Sequence, residues 1–150
     1  MSIPDSIDKQ IAKLLGRDGL QSSEALAKKI NISSATVRRR LRKLLQNDMI
    51  RIVAVVDPVQ FELPVAAVIT IDVDHSKLES AIKILAEQSE IRWVSTTTGR
   101  FDIVATARFC STNGLSNFMR TVLAQLEGLK NSETFVCLDV MKGQYTRYYG

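Results

Sequence analysis

The chain reads as an α+β protein in two parts, a three-helix amino-terminal unit and a carboxy-terminal unit of order β-α-β-β-α-β, joined by a linker strand. Three observations predict this. Apolar residues recur at helical spacing in three successive segments before Asn47, and from Met49 the pattern changes to runs of β-branched residues. Pro58 and Pro64 punctuate the change. The charge divides with the pattern: as far as Val56 there are 11 Lys and Arg against 5 Asp and Glu, a net +6, while the remainder carries 9 against 11, a net −2. The 150 residues therefore divide into a helical domain at 1–49, a linker strand and hinge at 50–64, and a β-containing domain at 65–150.

In the first domain Asp5 is placed to cap a helix, with Asp8 three residues on, and Ile7, Ile11, Leu14 and Leu15 fall on one face. Asp18-Gly19 is expected to end it. Ser22 or Ser23 caps a second helix, whose Leu26, Ala27 and Ile30 face inward. Asn31-Ile32-Ser33 suits a tight turn, and the Ser33 hydroxyl can cap a third helix. That helix, SSATVRRRLRKLL from Ser33 to Leu45, places Val37, Leu41, Leu44 and Leu45 on a buried stripe. Ser34, Ala35, Arg38, Arg39 and Arg42 project from the other side. It should stop near Asn47-Asp48, residues that tolerate the left-handed conformation.

Helix, three-residue turn and basic helix make a helix-turn-helix, whose second helix lies in the major groove of double-stranded DNA. All of the excess positive charge resides in the segment that carries this motif, as a phosphate-binding module requires. Ser34, Ala35, Thr36, Arg38 and Arg39 are the expected base-edge readers, because the first turns of such a helix reach deepest into the groove. Arg42, Lys43, Lys28 and Lys29 are expected on phosphates. Arg40 turns partly back toward the helices and is a candidate for an internal ion pair.

The linker strand is read over Ile50–Val56. Beyond it, strands are expected at 65–73, 91–98, 101–109 and 134–141, with helices at 76–90 and 111–127. Leu78, Ala81, Ile82 and Leu85 share one helical face, and Leu115, Phe118, Met119, Val122 and Leu126 another. This order is that of ferredoxin-like sandwiches. Both helices cover one sheet face, so a homodimer is expected to bury the other.

Other classes are disfavoured. No run approaches the roughly 20 apolar residues of a membrane span, and the start of the sequence lacks signal-peptide character. Cys110 and Cys137 sit in apolar stretches without CxxC spacing and read as reduced core thiols, so a cytoplasmic protein is expected. His75 reads as a loop residue at a strand end. Neither a metal nor a cofactor is expected, and the second domain offers no nucleophile-and-base constellation, so the chain is not expected to be an enzyme.

Taken together, Ile7-Asp8-Lys9-Gln10-Ile11, Leu26-Ala27-Lys28-Lys29, Ile32-Ser33, Val37-Arg38-Arg39-Arg40, Leu44, Ile50 and the turn Thr98-Gly99-Arg100-Phe101-Asp102 resemble the Lrp/AsnC family, the feast/famine transcription regulators. The resemblance implies a sequence-specific DNA-binding regulator whose second domain makes dimers and assembles them into higher oligomers, octamers included. It also implies a small effector, typically an amino acid, bound between dimers by Thr98, Gly99, Arg100, Phe101 and Asp102 with Ser132 and Thr134. Backbone amides at Gly99 could take a carboxylate and Asp102 an α-ammonium. The same residues also suit an ordinary hairpin connection.

The sequence departs from the family pattern in places. Leu20 stands where arginine is frequent, Ala25 where glutamate is, and Asp48 and Glu62 where glycines are. Ser132 replaces a bulkier β-branched residue, and Arg100 places a cation where relatives carry an acidic or neutral side chain. An architectural DNA-binding protein with no ligand switch is the alternative reading.

Overall fold

The computed structural model describes residues 3–143 and the backbone of Thr146–Arg147, and it separates into two compact units, residues 1–53 and 54–150. The first unit holds α1 (Ser6–Leu15), α2 (Ser23–Ile30) and α3 (Ser34–Gln46). Each begins on the cap its sequence supplies. Asp5 accepts from the amides of Ile7 and Asp8 while Asp8 accepts from the amide of Asp5, a reciprocal capping box. Ser22, of the two candidate serines, caps α2 through the Ala25 amide, and Ser33 caps α3 through the Thr36 amide. Ile11, Leu26, Ala27, Val37 and Leu44 form the buried core, with Leu41 and Ile32 packed against it.

Two details differ from the sequence-based expectation. α1 stops at Leu15 rather than at Asp18-Gly19, because the amides of Arg17 and Asp18 both turn back to the Leu14 carbonyl. Leu45 is 39% exposed and does not share the buried stripe: counted from Val37, positions 41 and 44 stay on the inner face and 45 falls at its margin.

Two turns close in the same way, and a third, at the end of α2, shares their left-handed residue. The Met49 amide donates to the Leu44 carbonyl and the Asp48 amide to Leu45, a 6→1 and 5→2 pair, with Asp48 at φ +52°. Leu63 and Glu62 repeat this on Pro58 and Val59, with Glu62 at φ +59°. Asn31, at φ +54°, ends α2 while Ile32 reaches back to Ala27. Asp48 and Glu62 thus stand in a left-handed position that favours glycine, the residue that the resemblance leads one to expect at both.

The linker strand is shorter than expected. Only β1 (Val55–Val56) pairs, antiparallel with β6 (Thr146–Arg147); residues 50–54 have extended-favouring side chains but no ladder partner among the described residues. The main sheet has the order β3-β4-β2-β5, all antiparallel, from β2 (Val65–Val73), β3 (Ile91–Thr96), β4 (Ile103–Phe109) and β5 (Leu129–Val136). The helices are α4 (Leu78–Ala86), entered by a 3-10 turn at His75–Lys77, and α5 (Thr112–Thr121), followed by one at Leu123–Gln125. Both are several residues shorter than their apolar periodicity suggested: 3-10 turns take up the start of α4 and the end of α5, and residues 87–90 turn out of the helix toward β3. His75 lies, as expected, just beyond a strand end.

The last strand begins at Leu129, five positions before the expected start. Its sequence, LKNSETFV, is polar because it is an edge strand paired on one side only, and polar side chains suit an exposed edge. The apolar run after Val136 continues past the ladder. Ala67, Ile69, Ile71 and Val73 of β2, with Ile103, Ala105, Ala107 and Phe109 of β4, alternate inward against Leu85, Leu115 and Phe118. Phe109 and Phe118 meet edge to face at 5.4 Å. The thiols are not core residues: Cys110 is exposed, one position past the buried Phe109, and Cys137 is half-buried beyond the end of β5. The tail from Gly143 to Gly150 reads by sequence either as a docking segment against a neighbouring subunit or as a loose end, and its Tyr145, Tyr148 and Tyr149 lie outside the described residues.

The opposite sheet face carries a row that crosses all four strands. Trp93 is opposite Thr106, Thr106 opposite Val68, and Val68 opposite Phe135. Trp93 and Phe135 are about half exposed. Among the described residues no helix is long and apolar enough to cross a membrane.

Candidate functional site

The outward face of α3 is fixed by its inward one. With Val37 and Leu44 buried, Ala35, Arg38, Arg39, Arg42 and Lys43 are left exposed, and Ser34 and Thr36 are half-buried at the start of the helix. The Thr36 hydroxyl lies 2.8 Å from that of Ser33, so it belongs to the cap as well as to the face. Lys28 and Lys29 are exposed in the last turn of α2, where cations oppose the negative end of the helix dipole. Lys29 also donates to the Gln21 side chain.

The four arginines of α3 have different fates. Arg40 turns inward, its Nη1 donating to Asp5 Oδ2 at 2.6 Å and to Asp8 Oδ1 at 2.9 Å, which ties α3 to the capping box of α1. Asp5 is held below the ordinary carboxylate range, first by the Asp8 amide and then by Arg40. Arg38 points outward but its Nη1 donates to Glu24 Oε1 of α2 at 2.7 Å. Arg39 and Arg42 have no ion-pair partner among the described residues. Glu24 was not legible as part of this face. An acidic residue in the first turn of a helix is ordinary dipole chemistry, and nothing in its spacing reveals a partner 14 positions away.

In the second unit the turn between β3 and β4 is anchored at its base and open at its tip. Thr97 donates to Asp102 and Phe101 carbonyls through its amide (2.9 Å) and hydroxyl (2.7 Å), and the Asp102 amide donates to Ile71 at 3.0 Å. Gly99, at φ +112°, adopts a conformation closed to other residues, and a Cβ there would meet nothing within 4 Å. The amides of Gly99, Arg100 and Phe101 have no acceptor among the described residues. Asp102 Oδ2 accepts from the Val73 amide at 3.1 Å, and this bond, followed by a hydrogen bond with the Asp72 carboxyl, holds its carboxyl below the ordinary range.

The predicted effector residues are not all on one side. Ser132 and Thr134 pair with Ile71 and Ile69, both core residues, and so face the helix layer, where the Thr134 hydroxyl meets Met119 Sδ at 3.4 Å. Glu133, between them, faces the other way, and Arg100 forms an ion pair with it at 3.1 Å while lying 5.2 Å over the Phe101 ring. Thr98 is exposed on the turn. Arg100 therefore strengthens the turn and reaches the opposite face of β5 from Ser132 and Thr134. Glu133 also has no sequence signature, since it marks no motif.

Comparison with known proteins addresses both units. Residues 5–45 match the model of the AsnC-type helix-turn-helix domain, and residues 66–146 that of the Lrp/AsnC ligand binding domain. An uncharacterized HTH-type transcriptional regulator of Pyrococcus furiosus is 32% identical over 146 residues, covering 97% of this chain and 99% of its own. The HTH-type transcriptional regulator FL11 of Pyrococcus horikoshii is 30% identical over 144 residues, covering 95% of each. E. coli AsnC superposes with a TM-score of 0.83 at 22% identity over 93% of this chain and 95% of its own. A Neisseria meningitidis transcriptional regulator in complex with L-Met gives 0.84 at 21% identity, over 92% of each chain. These two structural likenesses are of fold.

Proposed function

Since the chain belongs to the Lrp/AsnC family of transcriptional regulators, we propose that it reads DNA by laying α3 in the major groove. Ser34, Ala35, Thr36, Arg38 and Arg39 then approach base edges, while Arg42, Lys43, Lys28 and Lys29 meet phosphates. The observation that carries this reading is the sorting of the arginines: the fold withdraws Arg40 and leaves Arg38, Arg39 and Arg42 on the exposed face. The described residues hold no group of three or more His, Cys, Asp or Glu that could bind a metal, and the reading requires none.

The second unit, in this reading, self-associates and takes a small effector, an amino acid. Support for the dimer is the row from Trp93 through Thr106 and Val68 to Phe135 on the face opposite the helix layer, whose two aromatic ends are half exposed. Support for the effector is the turn at Thr98 to Asp102, with three amides that have no acceptor among the described residues and can meet a carboxylate, and with the Asp102 carboxyl beside them for an α-ammonium. Ser132 and Thr134, from the helix side of β5, would contribute hydroxyls only around the strand edge, and a second dimer would complete the site. The effector would shift the assembly or its DNA affinity only by its difference in affinity for the two states.

Two measurements test this. Duplexes recovered by the full-length protein from a randomised library should bind at least about 10³-fold more tightly than scrambled duplexes at the same salt. A ratio near one, with broad coverage of the genome, would place the chain among architectural DNA-binding proteins. A thermal-shift screen of the twenty amino acids should give saturable stabilisation by at least one of them. A flat screen would leave Thr98 to Asp102 as a structural turn.

A further inference from the structure

We propose that Glu24 is a positioning residue for DNA recognition, holding the Arg38 guanidinium from α2 so that Arg38 meets the groove in one orientation. This rests on the reading that α3 enters the groove. The contact joins two helices: Glu24 lies in the first turn of α2 and Arg38 in the second turn of α3, with Nη1 and Oε1 2.7 Å apart. It is selective. Arg39 and Arg42, on the same helix, have no ion-pair partner among the described residues, and Arg40 is committed inward.

The chemistry of the pair suits presentation of a reader. A guanidinium has five donors in a rigid planar fork, so one bond to Glu24 leaves enough to meet a base acceptor pair. Both side chains are more than half exposed, at 53% and 60%, so the pair contributes little to folding stability. Its effect falls on freedom of motion. A free arginine must be ordered when it binds, whereas one already held has lost part of that freedom beforehand. A carboxylate on a surface that faces phosphates is otherwise unfavourable, which gives this position a second, opposite electrostatic consequence.

The two consequences have different signs and can be separated. The full-length wild type and Glu24→Gln are titrated against a duplex recovered from a randomised library and against a scrambled duplex of equal length. Loss of positioning should weaken binding to the recovered duplex by about two- to tenfold, the range expected for ordering one long side chain. Removal of the negative charge should leave binding to the scrambled duplex unchanged or stronger. In an Arg38→Ala background, Glu24→Gln should cause no further fall in the ratio of the two affinities. The proposal is overturned if Glu24→Gln leaves that ratio unchanged, raises both affinities equally, or lowers the ratio as much without Arg38 as with it. A wild type that recovers no preferred duplex removes the underlying reading, and this proposal with it, before any variant is made.

Discussion

The Arg40 guanidinium donates to the Asp8 carboxylate at 2.9 Å, joining the middle of α3 to the first turn of α1 across 32 positions of sequence. The same Nη1 reaches Asp5, so one cation fastens both members of a capping box. Removing it strips two carboxylates of their common partner while leaving the outward face of α3 intact. Arg40→Met should lower the melting temperature of the protein and leave its preference among duplexes unchanged. Melting curves and a competition binding assay measure the two effects separately. A change in preference would mean that Arg40 reaches DNA.

The capping box also sets an acid dependence. Asp5 titrates below its ordinary 3.8, first because the Asp8 amide donates to it and second because of Arg40. A carboxyl depressed in the folded state contributes stability that is complete above its unfolded value and is lost as the pH falls through the folded one. The amino-terminal unit should therefore keep this contribution above about pH 4 and lose it progressively below. Asp5→Asn, which retains an N-cap side chain, should reduce the difference in melting temperature between pH 5 and pH 3. An unchanged difference would show that the contact has no thermodynamic weight.

The elements that bury a periodic apolar face were readable from sequence, because burial imposes the period: α1 to α3, β2 and β4 all follow it. The inward turn of Arg40 was readable for the same reason, as a charge close to the inner side of a wheel. What escaped has no periodic signature. The edge strand β5 is polar, so its five-residue shift toward the amino terminus left no mark in the hydropathy. Glu24 and Glu133 act through partners far away in sequence, and no spacing rule connects them to Arg38 and Arg100. The departures at Asp48 and Glu62 were visible only as oddities until their positive φ angles explained them.

Those two positions carry a stability prediction. A non-glycine side chain in the left-handed region costs roughly 1–2 kcal/mol per residue, and glycine recovers this less about 0.5–1 kcal/mol for its greater freedom when unfolded. Glu62→Gly should thus stabilise the protein by about 0.5 kcal/mol. Asp48→Gly should gain less, since aspartate tolerates the conformation better and also pairs with Arg51. Denaturant midpoints at constant slope would measure both. A destabilised Glu62→Gly would mean that the Glu62 side chain makes a contact that outweighs its backbone.

Gly128 makes the opposite case. It sits at φ +74°, and a Cβ there would lie 3.0 Å from both Asp74 Cβ and Lys77 Cγ, while its carbonyl accepts from the Asp74 amide at 2.8 Å. Backbone strain and crowding coincide, so Gly128→Ala should destabilise the second unit by about 1–3 kcal/mol. Chemical denaturation followed by Trp93 fluorescence would report it. A neutral result would mean that the 3-10 turn at His75–Lys77 gives way freely.

The uncovered sheet face yields the last prediction. Trp93 and Phe135 stand at opposite edges of one cross-strand row, joined through Thr106 and Val68, and expose about half of their surface. Two large aromatic groups in one row bury well only against another apolar surface, and a second copy of the same row supplies one through two-fold symmetry. A glutamate at either position would place a charge in that contact. Trp93→Glu and Phe135→Glu should each weaken self-association by about tenfold or more, since burying a large apolar side chain contributes roughly 1.5–3 kcal/mol. Neither substitution touches the helix-covered core, so far-ultraviolet circular dichroism should stay the same. Sedimentation equilibrium should then show a growing 16.7 kDa species. Variants that sediment like the wild type would move the interface elsewhere on the second unit.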